Sequence, residues 1–61
     1  MAATLFKIER VKRELTQTEL AAQSGIPQHR ISLLERGVRP RPNEAKALAD
    51  TLGVREAEIF Q

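Results

Sequence analysis

Apolar residues along this chain recur at intervals of three and four, with no sustained alternation of period two; that spacing predicts helices rather than strands. Leu5, Ile8 and Val11 are spaced by three and Leu15 follows four later, predicting a first helix over about 4–13 that Thr4 is placed to cap. The second helix has a clearer start. Thr16 followed three residues on by Glu19 is the capping-box spacing, and Leu20, Ala21 and Ser24 then face inward. Gly25 ends that helix, because glycine accepts the left-handed conformation that helix C-termini favour.

Only Gly25 and Ile26 separate it from a third helix at about 27–36, where Pro27 suits a first turn whose N–H groups have no intrahelical partner. At about 100° per residue, Ile31 and Leu34 fall on the buried side, while Gln28, His29, Ser32, Leu33 and Arg36 spread over the opposite arc. Gly37 stops this helix. The connector VRPRP is stiff and basic, since its two prolines forbid a continuing helix. Asn43 reads as the cap of a fourth helix, whose Ala45, Leu48, Ala49 and Leu52 keep the i, i+3, i+4, i+7 pattern up to Gly53. Val54 to Phe60 predicts a last short helix, with Ile59 and Phe60 folding back on the core. The expected fold class is all-α: a compact bundle of five short helices, one domain over 1–61, with no repeat, low-complexity stretch or linker.

Composition narrows the function. A chain of 61 residues has a marginal core that calls for economical packing or a dimer partner. Without cysteine there is no disulfide and no thiolate metal site, and a single histidine builds no zinc site alone. No apolar run approaches membrane-span length, and MAATLFKIERVK lacks the long apolar stretch of a secretory signal, so a cytoplasmic protein is expected. No acid, base and nucleophile cluster, and no glycine-rich phosphate cradle is present, so neither an enzyme nor a bound cofactor, metal or small-molecule ligand is expected. Ten Lys and Arg against eight Asp and Glu give a net charge of +2, too small to name a partner by itself. Its distribution says more: from Gln28 to Arg41 the chain carries Arg30, Arg36, Arg39 and Arg41 against the one acid Glu35, whereas Glu44, Asp50, Glu56 and Glu58 collect in the last third.

Two helices joined by a tight glycine turn are a helix-turn-helix candidate, here at 17–36. Such a motif needs a small residue where the helices cross, supplied by Ala21, a permissive turn residue, supplied by Gly25, and apolar anchors beneath, supplied by Leu20, Ile26, Ile31 and Leu34. Ser24 departs, standing where an apolar residue is usual, at a small loss of packing. With these residues in view, LTQTELAAQSGIPQHRISLLERG resembles the Cro/C1-type helix-turn-helix domains of phage repressors and bacterial xenobiotic-response-type regulators. The elements that carry the resemblance are LTQ before the motif, ELA within it, IS-LLERG in the third helix and LADTLGV in the fourth, covering about Phe6 to Phe60; the connector VRPRP is shorter than is common there.

The resemblance implies a lambda-repressor-like domain that binds operator DNA, an inverted repeat, as a two-fold homodimer. It implies that Gln17 touches a phosphate or orients its neighbour, that Gln28 and His29 reach base edges with Ser32 and Leu33 one turn later, and that Arg10 and Glu35 form an internal ion pair. The chemistry of the residues agrees: a recognition helix enters the major groove N-terminus first, glutamine pairs with adenine N6 and N7, histidine donates to guanine N7 or O6, and leucine packs on a thymine methyl. Arg30, Arg36, Arg39 and Arg41 are the candidates for phosphate contacts that set register.

Each of these residues also has a plainer reading. Gln28, His29 and Ser32 make either a base-reading or a merely solvated face, Leu33 a DNA or a protein contact, and Arg10–Glu35 a buried pair or an exposed one worth little. The arginine-rich connector is a phosphate clamp or only a polar loop. Ile59 and Phe60 serve the core, a dimer contact, or both. The leading function is sequence-specific DNA binding by a transcriptional regulator, most simply a repressor covering a promoter, either as a minimal Cro-like protein or as the DNA-binding piece of a longer one. The alternative is a protein-interaction module, or an antitoxin, that binds a protein partner through the same fold.

Overall fold

Helix ends in this chain are set by local chemistry before any packing. The computed structural model describes residues 4–60, which form α1 (Leu5–Lys12), α2 (Gln17–Ser24), α3 (Gln28–Glu35), α4 (Pro42–Leu52) and α5 (Glu56–Ile59), with no strand among them; the ends of the expected 1–61 domain lie outside the described residues. Thr4 Oγ1 accepts from the Lys7 N–H at 3.2 Å and opens α1. Thr16 Oγ1 accepts from the Glu19 N–H at 3.0 Å, and Glu19 Oε1 accepts from the Thr16 N–H at 2.9 Å, so two otherwise orphaned donors are satisfied reciprocally at the start of α2. The Glu19 carboxyl is held below its usual range, by the Thr16 N–H first and the Thr16 hydroxyl second. Gly25 closes α2 at φ 77°, its N–H on the Ala21 carbonyl.

Three boundaries differ from the sequence expectation. Asn43 does not cap α4: Pro42 is its first residue, Arg41 stands at the N-cap, and Asn43 lies inside the helix. Proline is favoured at a first helical position because its fixed φ fits and its missing N–H has no intrahelical partner to lose, and that preference outweighs asparagine's for a cap. α3 starts at Gln28, one residue after Pro27, whose ψ of 142° is extended. α5 is only four residues long, because Val54 is spent on closing α4: its N–H donates to the Ala49 carbonyl at 3.0 Å, beside the left-handed Gly53.

The core draws on every helix. Phe6 of α1, Leu20 of α2, Ile31 and Leu34 of α3, Leu48, Ala49 and Leu52 of α4 and Ile59 of α5 form one buried cluster with Ile26 of the turn. Ser24, expected as a small packing loss, also accepts the Ile26 N–H through its hydroxyl at 3.2 Å, a bond that ties down the turn. Ile59 and Phe60 do fold back, the Phe60 ring lying 5.2 Å from that of Phe6 at 44°. The spacing that predicts α1, however, is not the side it buries. Leu5, Ile8 and Val11 are 42, 41 and 52 % exposed, and Phe6 is fully buried. Phe6 and Arg10, one turn apart, define the inward side, because the ring has Phe60 to pack on and the guanidinium has Glu35 to bind.

The connection between α1 and α2 also carries a backbone cost. Glu14 takes φ 56°, the one non-glycine residue at positive φ among those described. A left-handed residue with a Cβ costs about 1–2 kcal/mol. Gly25→Ala should therefore lose about that much stability in urea denaturation, all of it backbone, since an added Cβ would meet nothing within 4 Å. Glu14→Gly should gain a smaller amount, below about 1 kcal/mol, because glycine's extra freedom in the unfolded chain offsets part of the relief. A neutral Gly25→Ala would contradict the left-handed close of α2.

Candidate nucleic-acid interface

α3 packs by a narrow stripe, Ile31 and Leu34, and an ion pair stands on each flank of that stripe, about 70° to either side at 100° per residue. On one flank is Glu35. Arg10 of α1 donates to both its carboxylate oxygens, Nε to Oε2 and Nη2 to Oε1, and Gln17 Nε2 of α2 adds a bond to Oε1 at 3.1 Å. Arg10 Nη1 also donates to the Leu15 carbonyl, which ties the same guanidinium to the connection before α2. On the other flank is Arg30. Its Nε and Nη2 donate to Glu44 Oε2 and Oε1 of α4 at 2.7 and 2.8 Å, and the Arg41 N–H donates to the same Oε1 at 2.9 Å.

Glu44 is only 3 % exposed, the one buried charged residue among those described. The Arg30 guanidinium is the main reason its carboxyl is held down to about 2 from an ordinary 4.5, helped by the Arg41 N–H and opposed by desolvation. The same pair raises Arg30 above its ordinary value. Among the described residues no buried side-chain nitrogen or oxygen lacks a hydrogen-bond partner, so both pairs meet the condition under which buried charge is tolerated.

With one side so committed, the other is open. Gln28 and His29 are exposed on the first turn of α3, Ser32 and Leu33 are half-buried one turn later, and Arg36 is exposed at its C-terminal end. All five share the arc opposite Ile31 and Leu34. Pro27 gives α3 no side-chain cap, so its first turn presents backbone donors outward. Arg39 and Arg41 are exposed in the connector. Two other candidates sit differently. Arg30 is bound to Glu44, and Gln17, half-buried, spends its amide on Glu35.

The Arg30–Glu44 pair escaped the sequence reading for a definite reason. Placing the start of α4 at Asn43 puts Glu44 one residue further on. Starting the helix at Pro42 puts Glu44 at the third position, where a glutamate binds back to the N-cap N–H; that was the available signal. The bond from the Thr18 hydroxyl to Gln28 Oε1, 3.1 Å long across the α2–α3 corner, has no local sequence signature.

The Glu44 carboxyl titrates lower in the folded chain than in the unfolded one, so the unfolded state binds more protons in acid. Its stabilisation is complete above pH 4.5 and drains away as pH falls to about 2. Glu44→Gln should cost about 1.5–3 kcal/mol at neutral pH, and should flatten the loss of stability across that acid window in urea titrations. An unchanged acid limb would show that Glu44 is not the group titrating there.

A family model described as helix-turn-helix matches residues 6–59, and no solved structure matches the chain. Two eight-residue helices meeting at a left-handed glycine, with the second held by one side only, are the geometry that such a match requires. The protein belongs to the Cro/C1-type helix-turn-helix family, a family of DNA-binding regulatory domains.

Proposed function

We propose that this domain binds a specific duplex sequence as a transcriptional regulator, with α3 in the major groove, and that it acts as a repressor by occupying an operator over a promoter. The observation that carries the reading is the division of α3 into a fully committed inner side and an outer arc of Gln28, His29, Ser32 and Leu33 with Arg36 at its end. A helix presented in this way enters the groove with Gln28 and His29 leading, where their amide and imidazole meet base edges. Ser32 and Leu33 follow one turn deeper, the leucine against a thymine methyl. Arg36, Arg39 and Arg41 supply phosphate contacts. Arg30 and Gln17, engaged with Glu44 and Glu35, contribute chiefly by orienting α3.

A two-fold homodimer on an inverted repeat is supported by an open groove of about 290 Å³ beside the connector, lined by Leu5, Val38, Pro40 and Phe60 among others. Val38 is exposed and Phe60 half-buried, so a second copy would cover apolar surface next to Arg39, as a core this small favours.

In vitro selection from random duplex DNA, followed by a salt titration on the enriched site, tests the reading. An inverted repeat whose affinity falls steeply with salt is expected; failure to enrich any duplex would overturn it. Arg39→Ala should weaken binding to all sequences by a similar factor and lower the salt slope by about 1. Loss confined to one base pair would contradict a phosphate role. Val38→Glu should abolish occupancy of the inverted repeat by two copies, read by analytical ultracentrifugation on labelled DNA, while a single half-site is still bound. Unchanged double occupancy would place the dimer contact elsewhere.

A further inference from the structure

Thr18 is the second residue of α2 and Gln28 the first of α3; both are exposed, yet the Thr18 hydroxyl donates to Gln28 Oε1 at 3.1 Å. Folding does not call for this bond. The first turn of α2 is already closed by Thr16 and Glu19, the turn is held by Gly25 and Ser24, and α3 is pinned by Glu35 and Arg30. An exposed bond between two polar side chains adds little to stability, because water offers each the same partner. What it does change is where the Gln28 amide spends its time. A glutamine side chain has three rotatable torsions and a broad terminal one, and a binding site that must immobilise it during recognition loses affinity for doing so. The other polar side chains of this first turn are engaged elsewhere, Gln17 with Glu35 and Glu19 with the Thr16 N–H, which leaves Thr18 as the group that holds Gln28.

The clamp leaves the amide able to act. A carbonyl oxygen has two lone pairs, so Oε1 keeps one while bound to Thr18, and the NH₂ keeps both its protons. One acceptor and adjacent donors match the major-groove edge of adenine, with its N6 donor and N7 acceptor. Guanine offers two acceptors there, N7 and O6, so Oε1 would face an acceptor.

We propose that Thr18 is a specificity-determining positioning residue: its hydroxyl holds the Gln28 side chain across the α2–α3 corner, pre-set to read adenine. The proposal rests on the DNA-binding reading above, and its test keeps the two separable. Selection on random duplex DNA with the full chain gives the enriched site, and Gln28→Ala identifies the base pair that Gln28 reads as the one whose preference disappears. Thr18→Val keeps the shape of the side chain and removes the hydroxyl. It should lower the adenine preference at that pair about three- to ten-fold, with the preference at other pairs, the salt slope and the thermal transition unchanged. Thr18→Ala should do the same, and Thr18→Ser, which restores the hydroxyl, should recover the preference. Wild-type preference at that pair in both Thr18→Val and Thr18→Ala overturns the proposal, as does an equal loss at every pair, which would make Thr18 a general contact. A Gln28→Ala protein with an unaltered site overturns it too, while leaving DNA binding intact. A wild-type chain that enriches no duplex overturns the functional reading itself.

Discussion

A helix that must offer one side to a ligand can be held only by the other, and α3 has eight residues with which to do both. Alone, so short a helix is unstable in water. Its apolar stripe of Ile31 and Leu34 supplies burial worth about 1.5–3 kcal/mol per side chain, but apolar contact is non-directional and two residues do not fix rotation about a helix axis. The two ion pairs do. Glu35 is gripped from α1 and α2, Arg30 from α4, and because they stand on opposite flanks of the stripe, turning α3 either way breaks one of them. Buried ion pairs contribute little net stability once desolvation is counted. Here they contribute orientation, which the proposed base-reading role of the outer arc requires.

The rest of the molecule follows from that demand. α1 turns Phe6 and Arg10 inward, leaving Leu5, Ile8 and Val11 exposed, since Arg10 has to reach Glu35. The connector after α3 is tied at its far end, where the Arg41 N–H meets the same carboxylate oxygen that receives Arg30, so the basic loop and α3 share one anchor. Glu44 thereby caps the start of α4, fixes the connector and steadies α3. The one buried charge among the described residues sits at the junction of all three.

Much of this was legible in the chain, and the reasons differ by element. α2 and the turn were readable because their signals are local: Thr16 with Glu19, then Gly25, each act within a few residues. The inward stripe of α3 was readable from Ile31 and Leu34. For α1 the period gave the helix but not its buried side, because two stripes compete and the choice is made by Phe60 and Glu35, distant in sequence. The start of α4 is ambiguous in the chain because proline marks both the end of one helix and the beginning of the next. The arginines show the limit most clearly: composition cannot separate Arg30, bound to an acid fourteen residues on, from Arg36 and Arg39, which are exposed. Gln28 and Thr18 meet only because the turn brings the starts of two helices together.

The central claim, that α3 is held on one side so that its outer arc meets DNA, is tested most directly by backbone amide chemical shifts of the ¹⁵N-labelled protein with and without its selected duplex. Large shifts are expected at Gln28, His29, Ser32 and Leu33 and at Arg39 and Arg41, with Ile8 and Val11 on the outer side of α1 unmoved. Shifts centred on α1, with the first turn of α3 unmoved, would contradict it.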